Sequence, residues 1–276
     1  MRIGFVGLGN MGAPMARRIA QDGWPLTVFA RRRETLERLD DSETHVAASL
    51  RDLGHASDLV EVCVVDDAQV EEVLLGGDNL LGGMRAGAVV AVHSTIHPET
   101  CRKLGALAEE KGVSLIDAPV SGGPAAVAEK SLAVMVGGDP DAFERCRPVF
   151  ESFAGFVRHM GPVGAGQLTK AVNNLVFIAN LGVVADALKL GAELGLDPAS
   201  LAEVMRAGSA SSFALGLYAP ALSLTPFAPV AALLRKDLDI LLDVARAAGL
   251  DVSSLGSAAE HTVRMLTRGN EGLRAR

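Results

Sequence analysis

The segment Gly161-Pro162-Val163-Gly164-Ala165-Gly166-Gln167-Leu168-Thr169-Lys170-Ala171-Val172-Asn173-Asn174 places a lysine close to the start of a long apolar helical pattern. Gln167, Lys170 and Asn174 are spaced i, i+3 and i+7, so on a helix they share a narrow arc, and Phe177, Ile178 and Leu181 continue it as an apolar wall. A lysine partly desolvated beside a helix N-terminus holds its proton less tightly than in water, as proton exchange with a substrate hydroxyl near neutrality requires. Asn174, one turn on, would hold the substrate or the lysine. A lysine whose stem lies along an apolar interface would give the same pattern.

A second segment, Asp117-Ala118-Pro119-Val120-Ser121-Gly122-Gly123-Pro124, runs off a predicted strand into a turn before a helix. The Ser121 hydroxyl and successive amides at Ser121, Gly122 and Gly123 would form a concavity suited to a carboxylate, although an ordinary capped loop has the same composition. Ser94 and Thr95 follow the strand Val89–His93 and read either as cofactor contacts or as a helix cap. Lys236-Asp237 by itself reads as an exposed charge cluster. His93 and His97 are four residues apart, but Pro98 follows and no acidic ligand is suitably spaced, so no metal site is expected.

The third segment, Gly7-Leu8-Gly9-Asn10-Met11-Gly12, follows a strand directly and opens a helix with Pro14 in its first turn. In this context Gly7 permits the turn, Gly9 lets a pyrophosphate approach the backbone, and Gly12 lets helix and strand pack closely. After the second strand the chain reads Phe29-Ala30-Arg31-Arg32-Arg33, with no carboxylate where a ribose 2′-hydroxyl would need an acceptor. Guanidinium forks at Arg31 and Arg32 match a 2′-phosphate, so NADP is expected over NAD; a solvated helix start is the plainer explanation of the same charges.

These segments need a scaffold. Short apolar runs at Ile3–Val6, Leu26–Phe29, Leu59–Val65, Val89–His93, Leu115–Ala118, Val134–Val136 and Phe156–Met160 alternate with helical patterns. Such alternation predicts βαβ units in an α/β chain with a Rossmann-type, doubly wound, mostly parallel sheet. Beyond residue 163 the patterns are all helical, which divides the chain into a dinucleotide-binding domain at 1–162 and an all-helical domain at 163–276 for substrate binding and oligomerisation. Leu175, Val176, Ile178, Ala179, Val183 and Val184 make the long helix apolar nearly all round, so a homodimer or homotetramer is expected.

The 276 residues carry a formal charge of −7 with no long basic run, which argues against nucleic acid. Cys63, Cys101 and Cys146 are odd in number and set in apolar surroundings, as expected of reduced thiols. Arg2–Gly7 already reads as a strand, and no apolar run spans a bilayer without a glycine or charge, so a cytoplasmic protein without a membrane partner is expected.

Taken together, the loop Gly7–Gly12, the segment Asp117–Gly123, the segment Gly161–Asn174 and Lys236-Asp237 resemble, in order and over nearly the whole chain, the β-hydroxyacid dehydrogenases. The resemblance implies hydride transfer between a nicotinamide cofactor and a small β-hydroxyacid or its semialdehyde. It implies Lys170 as acid/base group, Ser121, Gly122 and Gly123 as carboxylate binders, Asn174 as a substrate contact and Lys236 close to the cofactor. Ala30-Arg31-Arg32 departs from the acidic residue of NAD-using members, and Thr267–Gly272 lacks the Asp-containing segment that many members place near the substrate. An imine reductase of the same architecture and a catalytically silent dinucleotide-binding scaffold are the alternatives; Lys170 argues against the first, and an intact Lys170 and Asn174 with no basic extension argue against the second.

Overall fold

A computed structural model describes residues 1–39 and 44–274, with side chains for all of these except Arg33, Arg38 and 268–274. Two compact units divide the chain at Met1–Lys170 and Ala171–Arg276. The division falls inside a helix, because the first turn of that helix is hydrogen-bonded to the sheet.

In the first unit the strands are β1 (Ile3–Val6), β2 (Leu26–Phe29), β3 (His45–Val46), β4 (Leu59–Val62), β5 (Val89–Val92), β6 (Ser114–Asp117), β7 (Val120–Ser121), β8 (Leu132–Gly137) and β9 (Ala154–Gly161). The helices are α1 (Gly12–Gln21), α2 (Leu50–Ala56), α3 (Asp67–Leu75), α4 (Pro98–Glu109), α5 (Gly123–Ala128), α6 (Pro140–Phe150) and the start of α7 (Ala165–Glu193). The sheet order is β3-β2-β1-β4-β5-β6-β8-β7, with β9 on β8. All pairs are parallel except β6 with β8 and β7 with β8. This is the doubly wound sheet expected. Its strand order reverses between β1 and β4, the crevice where such sheets take ligands at their carboxyl ends.

Register makes that edge level. Val6 pairs with Phe29 and Val62, Val62 with Val92, and Val92 with Asp117, so the residues that follow each strand leave the sheet along one line. Strands β1, β4 and β5 are buried on both faces, which explains their near-continuous apolar runs. One face packs Phe5, Met15, Ile19, Phe143, Phe150 and Phe153, the other Leu53, Val60, Val70, Leu74, Leu104 and Leu115. β3 and β7, two residues each, were not expected, since they are too short to show alternation. β7 corrects the reading of Ser121 as a turn residue: it pairs antiparallel with Ala133.

The second unit contains the rest of α7 with α8 (Pro198–Ala207), α9 (Phe213–Tyr218), α10 (Ala231–Ala247) and α11 (Ser253–Arg274). Leu175, Ile178 and Ala179 of α7 pack with Leu234, Leu238 and Leu241 of α10 and with Val263 and Leu266 of α11. Leu181, Val184, Ala185 and Leu188 meet Ala202, Leu215 and Tyr218. Gly182 lets α7 lie close to α11, since a Cβ there would collide with the Thr262 hydroxyl. Among the described residues α7 is the one helix long and apolar enough to span a membrane, and half of its most apolar window is buried within the protein. The side chains of 268–272, where the C-terminal departure from the family lies, fall outside the described residues.

Candidate active site

The loop after β1 has three glycines for three different reasons. Gly7 has φ +96°, and a Cβ there would collide with the Cys63 carbonyl. At Gly12 a Cβ would collide with the Gly7 carbonyl, so only glycine lets α1 start this close to the strand. Gly9 is the opposite case, with nothing within 4 Å of its Cβ direction. No side chain caps α1 and its first turn has no acidic residue, so its dipole is available to an anion, although the Ala13 N–H is already given to the Gly9 carbonyl and Pro14 has none. A pyrophosphate fits this open, donor-lined approach. Leu8 is committed to the core and offers a ligand only backbone; Met11 packs partly on the same core, and Asn10 is exposed.

Beyond β2, Arg31 and Arg32 are exposed and neither forms an ion pair with a described residue, while Ala30 packs against the core. Arg33 has its side chain outside the described residues. β2 therefore leads into exposed positive charge, with no side-chain acceptor for a ribose hydroxyl at Ala30.

The ends of β5 and β6 correct two expectations. Ser94 is buried, and its Oγ accepts the Val64 N–H at 2.8 Å, so this hydroxyl ties two strand ends together and is not open to a cofactor. Neither Ser94 nor Thr95 caps the following helix; the His97 ring does, by accepting from the Glu99 N–H. Thr95 is half-buried at the same edge. Gln167, expected on the polar arc with Lys170, is itself buried: its Oε1 accepts the Ile96 N–H at 3.1 Å and its Nε2 donates to the Ser94 carbonyl at 2.8 Å.

Asp117, which the sequence reading passed over, ends β6 as a fully buried carboxylate. It accepts the Gly164 N–H at 2.7 Å and the Gln167 N–H at 2.8 Å, capping α7 from 47 residues away. Burial pushes this carboxyl above its ordinary range, against the opposing pull of those amides. Its signal in the sequence was an acidic residue closing an otherwise apolar strand. Lys170 follows Gln167 by three residues and is half-buried.

Gly122 and Gly123 have φ of +133° and +79°, so the chain turns at α5 in a conformation that favours glycine. A Cβ at Gly122 would press on Ala126 at 2.8 Å, whereas Gly123 faces open space. Ser121 stands half-buried just ahead of them.

In the second unit Asn174 and Asp237 are both buried, and the Asn174 amide donates to Asp237 Oδ2 at 2.7 Å. Lys236 Nζ lies 3.3 Å from Asp237 Oδ1. The pair Lys236-Asp237 is thus no exposed charge cluster, because Asp237 fixes the asparagine. Among the described residues no group of three or more His, Cys, Asp or Glu side chains could hold a metal.

A further buried pair lies beneath the edge. His93 Nδ1 donates to the Ala118 carbonyl at 2.7 Å, which can only accept, and Nε2 meets Glu61 Oε2. Both side chains have zero exposure, and Glu61 Oε1 has no hydrogen-bond partner among the described residues. One proton therefore serves the Nε2–carboxyl contact from either side. Phe150 and Phe153 meet the imidazole edge-on, and burial followed by the Glu61 charge pushes the nearby Cys146 thiol up to about 12.

Residues 2–161 match the family described as the NAD binding domain of 6-phosphogluconate dehydrogenase, and residues 164–274 the one described as the NAD-binding domain of NADP-dependent 3-hydroxyisobutyrate dehydrogenase. An NAD-dependent L-serine dehydrogenase of Pseudomonas aeruginosa is 37% identical over 97% of this chain and 92% of its own. A 3-hydroxyisobutyrate dehydrogenase of the same organism is 37% identical over 89% of this chain and 85% of its own. The solved structure of Mycobacterium tuberculosis 3-hydroxyisobutyrate dehydrogenase with L-serine superposes with a TM-score of 0.84 at 32% identity, covering 97% of this chain and 94% of that one.

Proposed function

Since this chain belongs to the β-hydroxyacid dehydrogenase family, and is accordingly a nicotinamide-dependent oxidoreductase, we propose that it moves a hydride between NADP(H) and a small β-hydroxyacid or its semialdehyde, with Lys170 as general acid/base. The observation that carries this reading is the anchoring of α7: its first turn is bonded to the ends of β5 and β6, and Lys170 follows within one turn. When bound, the nicotinamide supplies the acceptor or donor of the hydride.

The chain supplies the rest. Gly9, Asn10 and the first amides of α1 hold the pyrophosphate, and Arg31 and Arg32 take the 2′-phosphate. Ser121 with the amides of Gly122 and Gly123 takes the substrate carboxylate. Lys170 Nζ accepts the hydroxyl proton in the oxidative direction and returns it in the other. General-base action of this kind contributes ~10²–10⁴-fold, beyond what orientation supplies. Asn174 and Lys236 keep the substrate and cofactor roles that the family resemblance gives them.

The same reading places the enzyme in the cytoplasm as a homo-oligomer. Of the apolar residues on α7, Leu175, Ile178, Ala179 and Val184 are covered by their own unit, whereas Val172, Val176, Val183 and Leu190 remain exposed along its length and suit a second copy.

Steady-state rates with L-serine, 3-hydroxyisobutyrate and tartronate semialdehyde, each with both cofactors, test the proposal. At least one should turn over with a higher kcat/KM for NADP or NADPH. Arg31→Ala should weaken use of NADP roughly ten- to a hundred-fold and leave NAD nearly untouched, because one charged bidentate contact is lost to a group only NADP carries. Equal loss with both cofactors would remove Arg31 from the 2′-phosphate site.

A further inference from the structure

We propose that Gln167 and Asp117 are positioning residues for the reaction: together they lock the first turn of α7 onto the ends of β5 and β6 and so set where Lys170 delivers and takes its proton. The proposal rests on Lys170 as the acid/base group.

The lock has two parts of different chemistry. Asp117 accepts two amides of the α7 start, Gly164 at 2.7 Å and Gln167 at 2.8 Å, which no intrahelical carbonyl could satisfy. The Gln167 side chain then reaches across to the chain after β5. Ile96 N–H can only donate and Ser94 C=O can only accept, so the amide is held in one orientation and cannot flip without breaking both bonds. Among the described residues the buried Cys101 thiol interacts with this side chain, and Asp117 holds the backbone N–H of the same residue.

Glycines close the remaining space. A Cβ on Gly166 would collide with the Met135 carbonyl, and one on Gly137 would come within 2.5 Å of Asp117 Oδ1 and 2.8 Å of the Gly166 nitrogen. The helix start is therefore pressed on the strand ends with no slack. Gln167 and Lys170 are three residues apart on this one turn, so a shift of the turn is a shift of the lysine. A displacement of about 1 Å in a catalytic group can cost ~10²-fold in rate.

The test compares Gln167→Met, Gln167→Glu and Lys170→Met. Gln167→Met keeps the length and loses both bonds; its kcat should fall ~10²-fold, with NADPH binding, read by nucleotide fluorescence, changed less than ~threefold. Gln167→Glu keeps an acceptor for Ile96 but turns a second oxygen toward the Ser94 carbonyl, an attractive arrangement only when that oxygen carries a proton. Its kcat relative to the native enzyme should therefore rise as pH falls, at pH values where Trp24 fluorescence shows the fold intact. A purely structural glutamine would give no such limb. Gln167→Met with kcat within ~threefold of native, alongside an inactive Lys170→Met, would overturn the inference and leave the functional reading standing. An active Lys170→Met would overturn the functional reading itself. If Gln167→Met does not fold, a flat pH ratio for Gln167→Glu overturns the inference.

Discussion

Lys170→Met is expected to lower kcat by ~10²–10⁴-fold while changing the dissociation constant of NADPH by less than about twofold. Methionine keeps the unbranched length and the apolar stem of the lysine, so α7 and its anchoring at Asp117 and Gln167 should be undisturbed. What it lacks is a group that can exchange a proton with the substrate hydroxyl. The cofactor should not notice the change, because its phosphates are assigned to the Gly7–Gly12 loop and to Arg31, on the far side of the sheet order from β6. A loss of kcat/KM that appeared wholly in KM would mean that Lys170 binds substrate without moving its proton.

His93→Phe is expected to destabilise the first unit by ~3–5 kcal/mol, because it leaves the Glu61 carboxyl buried without its hydrogen-bonding partner. Phenylalanine suits the walls, which are Phe150 and Phe153, so the loss would come from the stranded carboxyl. The double variant Glu61→Leu with His93→Phe should recover most of the loss, since replacing both members of a buried pair by apolar groups is often neutral or stabilising. Trp24 packs on the same core and is the only tryptophan, so its fluorescence during urea unfolding reports this unit alone. A single variant as stable as the native protein would show that the pair contributes nothing to folding. A double variant no better than the single would show that the cost lies in the imidazole's bond to the Ala118 carbonyl.

The sequence made the scaffold legible because its signals were local. Ile3–Val6 and Leu26–Phe29 are strands with the expected bounds, and Ala165–Glu193 is one helix as its uninterrupted pattern predicted. The Gly7–Gly12 loop was equally readable, since a strand, a turn and a helix start are contiguous. What could not be read was long-range. Asp117 caps a helix 47 residues on, Gln167 serves a loop 71 residues back at Ile96, and Glu61 finds His93 across β4 and β5. In each case the clue was a polar side chain in an apolar stretch, and only the packed strands show its partner. Ser94 illustrates the converse: its place at a strand end suggested a ligand contact, but its hydroxyl is used by Val64.

The most direct test of the hydride-transfer reading follows the hydrogen itself. L-Serine and 3-hydroxyisobutyrate, each deuterated at the hydroxyl-bearing carbon, would be incubated with the purified enzyme and NADP, and the reduced nucleotide examined by proton NMR. Deuterium is expected on one face of the nicotinamide C4 with at least one of the two acids, and Lys170→Met should transfer it at least ~10²-fold more slowly. Reduction of neither, or a reduced nucleotide carrying hydrogen from solvent, would contradict that reading.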